Sequence, residues 1–337
     1  MDLRQMEYFL AVVDHGGINR AAAALRVAQP SLSQAVRRLE KELGTELFHR
    51  VGRVLVLAPA GEALIGSARM ILREAEAAEN VVRAVGHGRS GRVDIAALSD
   101  MSSDPLSVWV ARFRARFHDV RFRIDERDEA ADVVELVRSG ACEIGFLSTS
   151  IAAELVREEL ADQRFVLVCP PGTESFWPAP TPISALSDVP MVMSGKGTAI
   201  RDYIEQSLRA HGVEPRVVVE VPQRGAVLPM VLSGGGAAIM PLRIALDARH
   251  RGGVVRELTP ALSRPIGAVY RKARMTAATS EFFNYAKHSL QDWLRNIESY
   301  VERGESMIAA ASLAAKDADN RMRERNHRNS EVRPQNR

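Results

Sequence analysis

Residues 29–44 read QPSLSQAVRRLEKELG, and this stretch decides how the N-terminal part of the chain folds. Pro30 stands where a first helical turn tolerates proline, because the amide it lacks would be unpaired there. Leu32, Val36, Leu39 and Leu43 recur at spacings of four, three and four, which predicts a helix with one apolar face. Ser31, Ser33, Gln34, Arg37, Arg38 and Lys41 are left on the remaining surface, and Gly44 supplies a left-handed stop. Short hydroxyl and amide groups at a helix start, with cations further along, suit contact with base edges and phosphates. A solvated basic face on an ordinary surface helix has the same composition, so the neighbouring segments must decide.

Upstream, Leu3, Met6, Phe9, Leu10 and Val13 mark a first helix that Gly16 and Gly17 end, and Asn19 is positioned to cap a short second helix through Ala22, Ala23 and Leu25. Two helices joined by a tight turn, the second polar along its outer face, form a helix-turn-helix. Downstream, TELFHRVGRVLVLAPAG holds an apolar element at Leu47 and Phe48, a turn at Val51-Gly52-Arg53 and a strand from Val54 to Leu57. This reads as a two-stranded wing with Arg50 and Arg53 near its tip, where arginine can reach a minor groove or phosphates.

In this order of elements the chain resembles the LysR-type transcriptional regulators, closely over residues 1–61 and more loosely to about 290. The resemblance implies DNA contacts from Gln29, Pro30, Ser31, Ser33, Gln34 and Arg38, with Arg50 and Arg53 on the wing, and Arg37 on the same polar surface is expected to join them. Position 34 is often arginine in that family, so Gln34 is expected to alter which bases are read. Ala28 and Ala58 stand where the family usually has hydroxyl caps. Each lost acceptor should cost about 1 kcal/mol, so Ala28→Ser and Ala58→Thr are expected to stabilise the N-terminal half.

From Pro59 to Val85 the positions Leu64, Ala68, Ile71, Ala75, Ala78, Val82 and Val85 form a heptad seam, which predicts a long helix that pairs with a second copy. The alternative is a helix lying in an apolar groove of its own chain. Glycines at 86, 88 and 91 then mark a domain boundary.

Beyond Arg92 strands and helices alternate. The predicted strands are 93–98, 120–125, 143–147, 164–169, 190–194, 217–221, 237–242, 254–258 and 266–270. The predicted helices are 105–118, 130–139, 199–212 and 224–233. Such alternation argues for mixed sheets covered by helices. The fold class is therefore α plus α/β: a winged helix-turn-helix (1–58), a linker helix (59–88) and a two-lobed, periplasmic-binding-protein-like effector domain (91–290). Lobe I is expected at about 91–163 and 266–290, and lobe II at about 164–265. Residues 291–337 add a helical extension and, from Asn320, an arginine-rich stretch expected to be disordered.

Ligands in open α/β sheets bind beyond the carboxyl ends of strands. Those ends offer Ser99, Asp100, Met101, Ser102, Ser103, Asp128 and Ser148 in the first lobe, and Ser194, Lys196 and Thr198 in the second. The resemblance places an effector cleft between them. SGKGT (194–198) lacks the first glycine and the Lys-Ser/Thr ending of a phosphate loop, so nucleotide hydrolysis is rejected. Thr198 is expected to cap the next helix and Asp104 the helix at Pro105. A zwitterionic effector, or an Asp100–Lys196 pair on closure, suits these charges better than a dianion.

The 337 residues carry a net charge of only +3, so any basic partner surface must be local. Two cysteines, Cys142 and Cys169, make neither a disulfide framework nor a metal pattern, and are read as buried structural thiols. No catalytic, metal or cofactor motif is present, and an enzyme is not expected. The N-terminus has no signal-peptide core and the longest charge-free run is broken by Pro229 and Pro241, so a cytoplasmic chain with no membrane partner is expected.

The expected partners are double-stranded DNA with an inverted-repeat operator, a small-molecule effector, a second copy through the linker helix, a homotetramer built from such dimers, and RNA polymerase. The alternative is a solute-binding or small-molecule sensor module without direct DNA function. The winged segment distinguishes the two.

Overall fold

In the computed structural model, residues 1–51, 54–84, 91–148, 155–272 and 275–331 are described. The chain opens with α1 (Leu3–His15), α2 (Ile18–Leu25) and α3 (Gln29–Leu43), followed by the antiparallel strands β1 (Phe48–Val51) and β2 (Val54–Leu57). A reciprocal capping box starts α1: Asp2 accepts from the Gln5 amide, and the Gln5 side chain accepts from the Asp2 amide. Gly16, with φ of 63°, ends it, and α2 begins directly after Gly17. Asn19 therefore lies inside α2 and is not its cap.

Leu32 and Val36 pack on Tyr8 and Val12, while Leu39 joins Met6, Phe9 and Leu47. Leu43 is 39% exposed, because the last turn of α3 has run past the core that covers the rest of the apolar face.

The long helix α4 (Pro59–Ala84) would be about 40 Å from end to end at the usual rise. Leu64, Ala68 and Leu72 pack in the Met6–Phe9–Leu10 cluster, so the first part of the heptad seam is buried within its own chain. Ile71 and Ala75 are half-buried and Ala78 is exposed. The side chain of Val82, and Val85 entirely, lie outside the described residues. Arg73 fastens α4 to the following domain: its Nη1 donates to the Gly140 carbonyl at 2.5 Å, and its Nε lies 3.5 Å from the buried Glu143 carboxylate.

The first lobe contains β3 (Gly91–Leu98), α5 (Ser99–Met101), an irregular helical turn (Ser102–Leu106), α6 (Ser107–Arg116), β4 (Val120–Arg127), α7 (Ala130–Arg138) and β5 (Ile144–Ser148). Then follow β6 (Val156–Cys169), β7 (Thr181–Pro182), β8 (Pro190–Ser194), α8 (Ala199–Ala210), β9 (Arg216–Val221), α9 (Val227–Leu232), β10 (Ala238–Pro241), α10 (Leu242–His250), β11 (Val254–Arg256), β12 (Leu258–Thr259) and β13 (Leu262–Tyr270). The helices α11 (Ala277–Glu302) and α12 (Met307–Glu331) complete the described chain.

In lobe I, β4, β3 and β5 are parallel and β13 runs antiparallel beside β5. In lobe II, β8 and β9 are parallel, and the far end of β6 is flanked by β10 and β11. The antiparallel β6–β13 ribbon runs from one lobe to the other, with its register shifting at Ile266/Gly267, so the chain crosses between the lobes twice. One apolar core fills lobe I and two lie on opposite sides of the lobe II sheet.

Several elements depart from the sequence expectations. The helix expected at Pro105 begins at Ser107, because Asp104 is extended (φ −156°) and interrupts the turn. β6 begins at Val156 and not at 164, since its first half belongs to lobe I. Helix α10 was not expected: Leu242, Ala245, Leu246 and Ala248 are buried at helical spacing directly after an apolar strand that masks the helix start. The basic stretch expected to be disordered from Asn320 is helical through Glu331.

The extension is integral to the fold. Ile308, Ala310, Ala311 and Ala314 of α12 enter the lobe II core with Leu242 and Ala245 of α10. Tyr300 Oη donates to Asp317 at 2.7 Å, and Arg112 of lobe I pairs with Asp319 at 2.6 Å.

An unpaired buried carboxylate is costly, so Ala311→Asp should destabilise the effector half by about 3 kcal/mol or more; a thermal melt within 1 °C of the parent, a margin of about 0.3 kcal/mol, would contradict the packing of α12. At the helix starts, Ser31 and Leu32 amides already donate to the Ala28 carbonyl at 3.0 and 3.2 Å, and Pro30 has none to offer. Ala28→Ser should therefore gain about 0.5 kcal/mol at most. Ala58 is buried, with its amide bonded to the Leu47 carbonyl at 2.9 Å, so Ala58→Thr should lower the melting temperature of residues 1–90 instead of raising it.

Candidate nucleic-acid interface and interlobe cleft

Helix α3 turns its polar side out as a result of the burial of Leu32, Val36 and Leu39. Gln29, Pro30, Ser31, Gln34, Arg37 and Arg38 are exposed, and Ser33 is half-buried. They form one continuous face from the helix start to its middle. The Arg38 side chain, 78% exposed, lies 3.3 Å from the Glu42 carboxylate one turn later. Glu42 also accepts from the N-terminal amine and from Gln5, which hold its carboxyl below the usual range. Arg50 is exposed on β1, and Arg53 lies outside the described residues.

Glu40, which the sequence reading passed over, ties the wing to α3. Its Oε1 accepts from the Leu47 and Phe48 amides at 2.9 and 3.2 Å. A carboxylate bonded to two backbone amides is a strong fixed joint. The available signal was a glutamate on the inner side of the helix just before the turn into the wing.

The strand ends of the two lobes meet as topology expects, but the charges pair differently. Asp100 is 1% exposed and binds the Arg264 guanidinium of β13 directly, with Arg224 Nη1 3.5 Å away. Lys196 is exposed and lines a separate surface cleft with Arg201 and Glu205, so the Asp100–Lys196 pair does not form. Gln163 Oε1 accepts from Arg264 Nε and Nη2 at 3.1 and 3.0 Å, and the Arg264 guanidinium lies over the Phe165 and Tyr203 rings. Burial lowers the Arg264 pKa to about 10, which leaves it charged at neutral pH.

Two further contacts join the lobes. Arg243 Nε donates to Asp104 at 2.7 Å, and the Ala199 amide donates to the Asp128 carbonyl at 3.0 Å. Asp104 is thus held by α10 and does not cap α6. Burial raises its pKa to about 6 against the opposing pull of Arg243.

Most of the serines and threonines named from sequence already have partners within their own lobe. Ser99 donates to Asp128 at 2.6 Å, Ser102 to Glu126 at 2.6 Å, and Ser103 to the Ser99 carbonyl at 3.2 Å. Thr198 caps α8 as expected, accepting from the Arg201 amide and lying 3.1 Å from Ser194. Met101 is fully buried in the lobe I core, and Ser148 is the half-buried last residue of β5. Arg224, Arg264 and Gln163 were missed. The signal was a polar side chain interrupting an apolar strand, which in LSRPIGAVY and ADQRFVLVC marks the point where the ribbon crosses between lobes.

Both thiols are buried, and burial pushes each pKa up to about 12, so neither carries the thiolate character that redox sensing needs. Among the described residues no helix is long and apolar enough to cross a membrane, and no acidic, histidine or cysteine cluster could hold a metal.

Comparison with known proteins agrees with this architecture. The family model for the bacterial regulatory helix-turn-helix protein of the lysR family matches residues 3–62, and that for the LysR substrate binding domain matches residues 86–291. The chain is 29% identical over 258 residues to the HTH-type transcriptional regulator IlvR of Caulobacter vibrioides, covering 74% of this chain and 85% of that one. It is 27% identical over 266 residues to the nitrogen assimilation regulatory protein nac of Escherichia coli, covering 78% and 86%. A full-length OxyR variant from Pseudomonas aeruginosa shares the fold with a TM-score of 0.64 at 21% identity, covering 86% of this chain and 95% of that one. Full-length CbnR complexed with its target DNA does so at 0.57 and 22% identity, covering 86% and 99%. With its helix-turn-helix and its substrate binding domain both matched by family models, and the fold shared with full-length regulators, the chain belongs to the LysR family of DNA-binding transcription regulators.

Proposed function

We propose that this chain binds an inverted-repeat operator as a dimer and that a small molecule in the interlobe cleft sets how the paired DNA-binding units are arranged. The observation that carries the reading is the face of α3: its apolar side is locked in the core, its polar side is exposed, and Glu40 fixes the wing to the same helix. Gln29, Pro30, Ser31, Ser33 and Gln34 at the helix start reach base edges in a major groove. Arg37 and Arg38 hold phosphates, and Arg50 and Arg53 follow the backbone from the wing.

Pairing occurs along α4. Leu64, Ala68 and Leu72 are engaged by α1, and Ile71, Ala75 and Ala78 are the described seam positions left at least partly exposed for a second copy. Two recognition helices related by a dimer axis then face successive turns of major groove, and dimers of dimers would contact longer sites. The cleft ligand acts by favouring one apposition of the lobes over another. RNA polymerase is the partner through which an arrangement of bound dimers would affect transcription.

Titration of operator variants separates the assigned roles. Arg38→Ala should weaken all sequences alike and reduce the salt slope by about one phosphate contact. Gln34→Ala should instead relax preference at one base pair. Glu40→Ala should weaken operator binding by about tenfold through the freed wing, whereas Glu40→Gln, which keeps an acceptor, should retain most of it. Unchanged base preference in the Gln34 variant would remove it from the reading set, and equal loss in both Glu40 variants would show that the joint to the wing is not what matters. For pairing, Ile71→Asp should give monomers in analytical ultracentrifugation, because two unpaired charges would face each other; an intact dimer would contradict the α4 assignment.

A further inference from the structure

The two lobes are joined in two different ways. Over Ser263–Pro265 the strand β13 is paired with β6 alone among the described residues, and the register shifts just beyond, at Ile266/Gly267. A narrow ribbon with an irregular register bends and twists, as a hinge between lobes must. Helix α11 makes the same crossing as a single rod. Phe282, Phe283, Ala286 and Leu290 are buried in the lobe I core, and Ile297, two turns further on, is buried in a lobe II core. Trp293 between them packs against both cores. Sharp bends in helices arise at proline, glycine or a bulge. Residues 290–297, LQDWLRNI, contain neither glycine nor proline, and α11 is one α-helix throughout its 26 residues, about 39 Å at the usual rise.

The chain then turns at Gly304, with φ of 95°, and α12 docks on lobe II through Ile308, Ala310, Ala311 and Ala314. Tyr300 Oη donates to Asp317 and fastens α11 to α12. Asp319 reaches back to Arg112 of lobe I at 2.6 Å. At the opposite end of α11 the amide of its cap, Thr276, donates to Glu143, the residue that faces Arg73 of α4. The match to the LysR substrate binding domain ends at residue 291, so the part of α11 that enters lobe II and the whole of α12 lie beyond it.

We propose that α11 and α12 clasp the lobes, holding their present apposition against the hinge motion that the ribbon allows. A cleft ligand then has to work against the clasp to move one lobe on the other. This rests on the reading that lobe apposition sets how the DNA-binding units are arranged. For the lobes to turn, α11 must bend between Leu290 and Ile297, or Ile297 and the α12 alanines must leave lobe II. The Arg112–Asp319 pair is the contact that yields at least cost, because the Asp319 side chain is 59% exposed.

The test is the interlobe distance distribution of the full-length protein, read by pulsed electron resonance between spin labels at Ala131→Cys in lobe I and Ala185→Cys in lobe II. Both alanines are exposed, and the two native thiols are buried away from the label. Dilution with excess unlabelled protein restricts the reading to distances within one chain. The parent should give one narrow distribution. A Gly-Gly-Ser-Gly insertion between Gln291 and Asp292, both exposed, should broaden it about twofold or add a second distance. The same insertion between Gly304 and Glu305, outside the crossing, should keep the parent width. Asp319→Arg should broaden the distribution to a smaller extent, and the swapped pair Arg112→Asp with Asp319→Arg should bring it back. Should the insertion at the crossing not fold, the charge reversal and its swap still decide.

A broad distribution in the parent, the parent width in the crossing insertion or in Asp319→Arg, equal broadening from the insertion at the turn, or no recovery in the swapped pair would overturn the proposal. Operator binding by the same proteins keeps the two readings apart. Loosened lobes with unchanged operator binding would support the clasp and defeat only the proposed regulation. Parent-width distributions beside intact operator binding would defeat only the clasp.

Discussion

The effector half depends on the burial of charge at the place where its lobes meet. Asp100, at the end of β3, is almost wholly removed from solvent, which an isolated carboxylate could not sustain. It is sustained because Arg264 arrives from the ribbon that joins the lobes and Arg224 from lobe II. Breaking such a pair by removing one partner leaves a bare buried charge, so these contacts tie the lobes to their present apposition. Asp104 and Arg243 repeat the device between the lobes, with Trp293 of α11 stacked on the same guanidinium at 4.8 Å.

The cleft is connected physically to the DNA-binding half. β5 ends at Ser148 beside the cleft, and Glu143 immediately precedes its start. Glu143 accepts from the Thr276 amide at 2.8 Å and faces Arg73 of α4. Arg69 of the same helix pairs with Asp14 of α1 at 2.6 Å. A shift of β5 relative to α7 would therefore be felt by α4 and by the helix on which α3 packs. The C-terminal extension touches both lobes, through the α12 alanines on lobe II and Asp319 on lobe I, so movement of one lobe against the other must also carry or strain α12.

The winged unit was legible because its rules are local. Periodicity located α1 and α3, glycine located their ends, and burial of Leu32, Val36 and Leu39 then fixes which side of α3 faces outward. Strand-helix alternation gave the two lobes for the same reason. The failures that bear on the interlobe cleft and the linker share a cause, which is that they concern partners distant in sequence. Asp104 looks like a helix cap until Arg243 claims it. Asp100 and Lys196 look complementary until Arg264, 164 positions from Asp100, is brought against the carboxylate. The α4 seam reads as wholly intermolecular until α1 covers its first turns. At Ala58 the missing cap has a steric reason that no local rule contains.

In the proposed mode of action two copies of this chain read one operator through α3. Hydroxyl-radical footprinting of the full-length protein, on genomic fragments that the protein itself selects, tests it most directly. Two protected half-sites of opposite orientation are expected, centred about one helical turn or a multiple of it apart, with further protection outside each where the wing tracks the backbone. A single asymmetric half-site, or protection without any sequence in common among the selected fragments, would contradict it.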